Sequence, residues 1–154
     1  MGHPIPFASL QKVPLCYASC SVGSKPSDTL PKKLEAIASA GFTAVELSFP
    51  DIVDFASRFL GHQVSSNNFS ELVTAAKEIR KLCDSHGLKV LMLQPFANWE
   101  GWVPGSTEKH DAVVRANGWI DIMSAVGTDM LQVSKTSLAP PPPPAMMTMV
   151  MLIE

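Results

Sequence analysis

Gly41-Phe42-Thr43-Ala44-Val45-Glu46-Leu47-Ser48-Phe49 is the stretch whose reading decides the fold. Glycine enters the left-handed conformation that ends a helix at no steric cost. Here it closes a helix-like segment, Lys32 to Ala40, and opens at once onto a short apolar run from Phe42 to Phe49. The junction recurs twice: Gly87 precedes Leu88 to Phe96, and Gly127 precedes Asp129 to Val133. The glycines are spaced by 46 and 40 residues, which suits a repeating strand–helix unit with one longer loop. An earlier run, Val13 to Ser21, supplies a first strand.

The segments ahead of these glycines carry helical signals. Pro31 is tolerated in a first turn, and Leu34, Ile37 and Ala38 make an apolar stripe. Asn68 with Glu71 three residues on resembles a capping box, and opens a helix whose Leu72, Ala75, Ile79 and Leu82 face the core. A third helix begins after Thr107, with Glu108 in its first turn and Val113, Ala116, Ile120 and Met123 recurring at helical spacing. A shorter helical stretch, Ile52 to Leu60, follows the second strand. Strands alternating with helices imply parallel pairing and right-handed crossovers. The expected fold is α/β: the N-terminal half of a (βα)8 TIM barrel, about four parallel strands with helices outside, followed by a Pro-rich tail. A whole barrel needs about 250 residues, and this chain has 154.

Composition narrows the function. Hydrophobic residues make up 46% and charged residues 17%, with a net charge of -2 and no basic block. That excludes a nucleic-acid partner or an anionic membrane surface as an expectation. No run approaches the roughly 20 apolar residues of a membrane helix, and the N-terminus lacks the basic start and long apolar stretch of a signal peptide, so the expected location is the cytoplasm. Cys16, Cys20 and Cys83 fit no zinc spacing and read as small buried apolar residues. After Gln132 the pattern breaks. Five prolines, Pro140 to Pro144, lead into a Met-rich end. The tail reads either as a proline motif with a hydrophobic anchor or as low-complexity sequence standing where a fold should continue.

Aligning the strands on their glycines puts Ala44, Glu46 and Ser48 on one face, with Val90, Met92 and Gln94 and then Met130, Gln132 and Ser134. Val45, Leu47, Phe49, Leu91, Leu93, Leu131 and Val133 take the other, which is uniformly apolar and suits a helix layer. The first face turns polar toward the strand C-termini, the end at which barrels do chemistry. A carboxylate between Val45 and Leu47 is costly to bury unless paired or bound. Glu46 is therefore either held by a neighbour at the barrel mouth or a carboxylate for substrate or the surroundings of a metal. Gln94 suits a sugar hydroxyl or water, or braces a loop. Trp99 and Glu100, with Asn98 and Trp102, offer a wall against a ring-shaped substrate or a loop packed down by its aromatics. The histidines, His3, His62, His86 and His110, are scattered, and no metal ligand or general base is assigned to them; the catalytic residues stay unknown.

Several of these segments are similar to one family. Leu93-Gln94-Pro95-Phe96 with Trp99-Glu100-Gly101 resembles the third-strand motif of fungal 3-dehydroshikimate dehydratases, members of the xylose isomerase-like (sugar phosphate isomerase/epimerase) TIM-barrel family. Ala40-Gly41-Phe42 leading to Val45-Glu46-Leu47 resembles that family's second strand, Ala18-Ser19-Cys20-Ser21 its first, and Val126-Gly127-Thr128-Asp129 before Leu131-Gln132-Val133 its fourth. The likeness divides the chain into an N-terminal extension (1–12), a partial xylose isomerase-like barrel (13–135) and a Pro/Met-rich low-complexity tail (136–154). It implies that full-length relatives are isomerases, epimerases or dehydratases (lyases) acting on a small polyhydroxylated substrate with a divalent metal such as Mg, Mn, Co or Zn. It carries over Glu46, Gln94, Glu100 and Trp99 as candidate substrate-binding residues. The family's metal ligands come chiefly from the second half of the barrel, so this chain alone is expected to bind no metal and to be inactive. From another class, the alternative is a non-catalytic fragment or interaction module. Four strands leave two open edges, which invites self-association.

Overall fold

The computed structural model describes residues 13–134. The expected extension (1–12) and tail (136–154) lie outside the described residues. Four strands, β1 (Cys16–Ala18), β2 (Ala44–Ser48), β3 (Lys89–Phe96) and β4 (Leu131–Val133), form one sheet in the order β1-β2-β3-β4. Every pairing is parallel. Between them run α1 (Leu30–Ser39), α2 (Phe49–Leu60), α3 (Phe69–Ser85) and α4 (Thr107–Val126). This is the expected α/β architecture of a partial TIM barrel, with an added helix after β2.

Local chemistry sets the boundaries. α2 starts earlier than the sequence suggests: Phe49 is its first residue, Pro50 sits in its first turn, and Gly61 closes it at φ 75°. Asn68 caps α3 by accepting from the Glu71 N–H at 3.4 Å. The reciprocal half of the capping box is absent, because the Glu71 carboxylate turns to His62 Nε2, 3.5 Å away. Ser106, not Thr107, caps α4, accepting from the Lys109 N–H at 3.2 Å. The first strand is short, since Ser19–Ser21 coil into a 3-10 turn.

The core lies between the sheet's outward face and the helices. Val45, Leu47, Val90, Leu93 and Phe96 meet Leu34, Ile37, Ile52, Leu72, Ile79 and Ile122 in one buried cluster. Trp119 of α4 stacks on Phe49 at 4.3 Å and meets Phe96 edge-on at 5.1 Å. Gly118 lets α4 approach α3, since a Cβ there would lie 2.2 Å from the Phe69 ring.

Three expectations are corrected. Val90 joins the outer core, not the inner face, because β3 bulges: Val45 pairs with Val90 but Glu46 with Met92, so Leu91 is the extra residue. The Leu91 carbonyl accepts from Thr128 Oγ1 at 2.7 Å. On α4 the buried stripe is Ala112, Trp119, Ile122, Met123 and Val126; of the expected stripe, Val113 and Ile120 are exposed. Of the cysteines only Cys83 is buried, Cys16 being intermediate and Cys20 exposed. No helix among the described residues is long and apolar enough to cross a membrane.

Candidate active site at the strand C-termini

The pairings Ala18–Glu46, Glu46–Met92 and Ser48–Gln94 put these side chains on one face, opposite Val45, Leu47 and Leu93. Glu46 therefore points away from the helix layer. Gln94 Nε2 donates to Glu46 Oε2 at 3.1 Å, and both residues are partly buried. The same nitrogen lies 4.0 Å from Cys20 Sγ. The bulge in β3 creates this arrangement: were Leu91 a regular, paired strand residue after Val90, Gln94 would fall on the outer face. Cys16, on the inner face of β1, has its thiol pushed up first by partial burial and then by the Glu46 charge.

Behind this pair lies a second polar group that the sequence reading missed. Ser19, fully buried, accepts from the Ser48 N–H at 3.0 Å and donates to Asp51 Oδ2 at 2.6 Å. Lys33 Nζ completes the chain at 2.7 Å from Asp51 Oδ1. The group ties the ends of β1 and β2 to the start of α2 and to α1, so it holds Glu46's strand in place from behind. The only signal for it in the sequence was an acid in the first turn of a helix, which is common for reasons of helix polarity alone.

The loop after β3 carries the other two candidates. Trp99 packs on the core, tilted against Phe96 at 6.0 Å, with Lys109 Nζ 4.3 Å over its ring. Glu100 follows it and is exposed. The loop is anchored from α4: Arg115 donates to the carbonyls of Ala97 at 2.6 Å and Asn98 at 2.8 Å, and lies 4.8 Å over Phe96. Trp102 Nε1 also donates to Asn98 O, at 3.0 Å. Glu46 and Gln94 are thus brought together, whereas Trp99 belongs to a separately braced loop. A groove of about 1060 Å³ between α3 and α4, lined by Phe69, Lys77, Arg80 and Asp121 among others, lies on the helix layer away from these strand ends.

A parallel sheet backed by helices, with its polar side chains gathered at the strand C-termini, defines a partial TIM barrel. The model of the family described as xylose isomerase-like TIM barrel matches residues 34–152. The chain belongs to the xylose isomerase-like TIM-barrel family. It is 33% identical over 107 residues to a 3-dehydroshikimate dehydratase of Pseudomonas aeruginosa, covering 70% of this chain and 14% of that protein. A 3-dehydroshikimate dehydratase of Neurospora crassa is 30% identical over 120 residues, 77% of this chain and 31% of that one. Among solved structures, a xylose isomerase-like TIM barrel/4-hydroxyphenylpyruvate dioxygenase fusion protein matches 80% of this chain and 16% of its own length, at 29% identity and a TM-score of 0.59. The chain thus spans between about a seventh and a third of the length of these relatives.

Proposed function

We propose that Glu46 and Gln94 form the substrate-side polar pair of a 3-dehydroshikimate dehydratase-like barrel mouth, and that the chain binds such a substrate without turning it over. The observation that supports this is the 3.1 Å hydrogen bond between them, on adjacent strand ends of the face opposite the helix-packed core residues. A carboxylate held by one amide N–H keeps lone pairs free for substrate hydroxyls. Gln94 fixes the carboxylate's orientation and retains its own carbonyl oxygen as an acceptor. Trp99 and Glu100 sit apart from this pair, on the separately braced loop that would flank a bound ring.

In a whole barrel of this family a divalent ion, Mg, Mn, Co or Zn, would polarise a carbonyl or hydroxyl of the substrate. Among the described residues no three His, Cys, Asp or Glu side chains converge. The described residues do not make a metal site by themselves.

The test is an amide NMR titration of the 154-residue chain with 3-dehydroshikimate, alongside Glu46→Gln and Gln94→Leu. Expected are shifts centred on the ends of β2 and β3, a Kd on the order of millimolar, and about tenfold weaker binding in either variant, with no product formed. Shifts confined to other parts of the chain, or binding by both variants as tight as by the parent chain, would refute the assignment.

A further inference from the structure

Among the described residues the sheet has two unpaired edges, β1 and β4, and both strands run in the same direction. Parallel edges present unpaired N–H and C=O groups to solvent, which is a standing template for another strand. The exposed large apolar side chains gather at these edges. Val13, Leu15 and Tyr17 lie along β1 and the residues just before it, Val133 lies on β4, and Met130 immediately precedes it. Val113 and Ile120 lie on the flank of α4 that turns away from α3. Seven of the ten exposed large hydrophobics among the described residues fall in these three places, so the uncovered surface is concentrated and not scattered.

Four parallel strands are half of the eight that close a barrel of this kind. We propose that a second copy of this chain closes the sheet, β4 of each protomer pairing with β1 of its partner around a two-fold axis along the barrel. A rotation about that axis keeps all strands parallel, and it satisfies both free edges with two identical contacts. Tyr17 and Val133 share the outward face, since Tyr17 pairs with Val45 in one register, Leu93 pairs with both Leu47 and Leu131, and Phe96 pairs with Val133. Closure therefore sets the apolar edge of one protomer against the apolar edge of its partner. It also turns the two Glu46–Gln94 faces toward a common interior. This inference rests on the edges alone and not on the substrate reading.

The experiment is sedimentation velocity on the 154-residue chain over a wide concentration series, with melting curves for each variant. The expected species is a discrete dimer of the 16.6 kDa chain. Val133→Lys alone and Tyr17→Lys alone place a charge on a closing edge, and each should weaken the dimer about tenfold or more. A chain carrying both Val133→Lys and Tyr17→Glu should regain most of that loss, because opposite charges then meet across the new strand pair. That recovery separates edge pairing from misfolding of a single variant. A monomer at every concentration, an open ladder of larger species, or a dimer indifferent to all three changes would overturn the proposal.

Discussion

Val45 and Val133 are the same residue type, on the same outward face of one sheet, yet the first is 0% exposed and the second 53%. The difference is cover. Val45 sits on a central strand under α1 and α3 residues of the core cluster. Val133 sits on an edge strand, with no helix after it among the described residues. Composition alone would rank the two positions equally. What a valine contributes depends on what its strand is packed under, since burial and not residue type sets the transfer free energy.

Truncation should separate the two regions most sharply. Leu47→Ala, in the covered centre, removes a fully buried side chain and should cost about 2–5 kcal/mol of unfolding free energy. Val133→Ala, at the uncovered edge, should cost less than about 0.5 kcal/mol in the monomer. Chemical denaturation of both variants under conditions that keep the chain monomeric checks the contrast, and equal losses would break it.

A smaller effect should appear at alkaline pH. Burial, with a lesser contribution from the Asp84 charge, pushes the Cys83 thiol from its ordinary 9.0 up to about 12. Between those values the unfolded chain loses this proton while the folded chain keeps it. The contribution is thus fully present below pH 9 and is lost as pH rises toward about 12. The slope from this group should be at most about 1.4 kcal/mol per pH unit. Comparing the pH dependence of unfolding for the parent and Cys83→Ala isolates it: the variant's curve should be flatter above pH 9, and an unchanged slope would contradict the burial of Cys83 in the helix-covered core.

The central region was also the more legible one in the sequence. Helix stops at Gly41, Gly87 and Gly127, and the apolar runs after them, located β2, β3 and β4, because a left-handed glycine followed by an apolar run is a local signal. The fold class followed from the alternation of strands with helices, and the inward direction of Glu46 from the period of two along β2. The same side-chain alternation failed at Val90, because the bulge at Leu91 puts Val90 out of step with Met92 and Gln94 and leaves no mark in composition. It also failed on α4, where apolar residues line two flanks. Only the contacts of Trp119 with Phe49 and Phe96, and of Gly118 with Phe69, decide which flank is buried. Within the candidate site, Glu46 stood out as a charge in an apolar strand. The Ser19–Asp51–Lys33 brace and the hold of Arg115 on the loop did not, since each joins residues far apart in sequence.

The most direct measurement is the set of proton–proton contacts between β2 and β3 in solution by NMR. Backbone contacts should link Val45 with Val90 and Leu47 with Leu93 in a parallel pattern, and the Gln94 side-chain amide protons should lie close to the Glu46 side chain. An antiparallel pattern, or contacts between Glu46 and the helix-layer residues Leu34 or Ile79, would contradict the inward-facing pair on which the proposed substrate site depends.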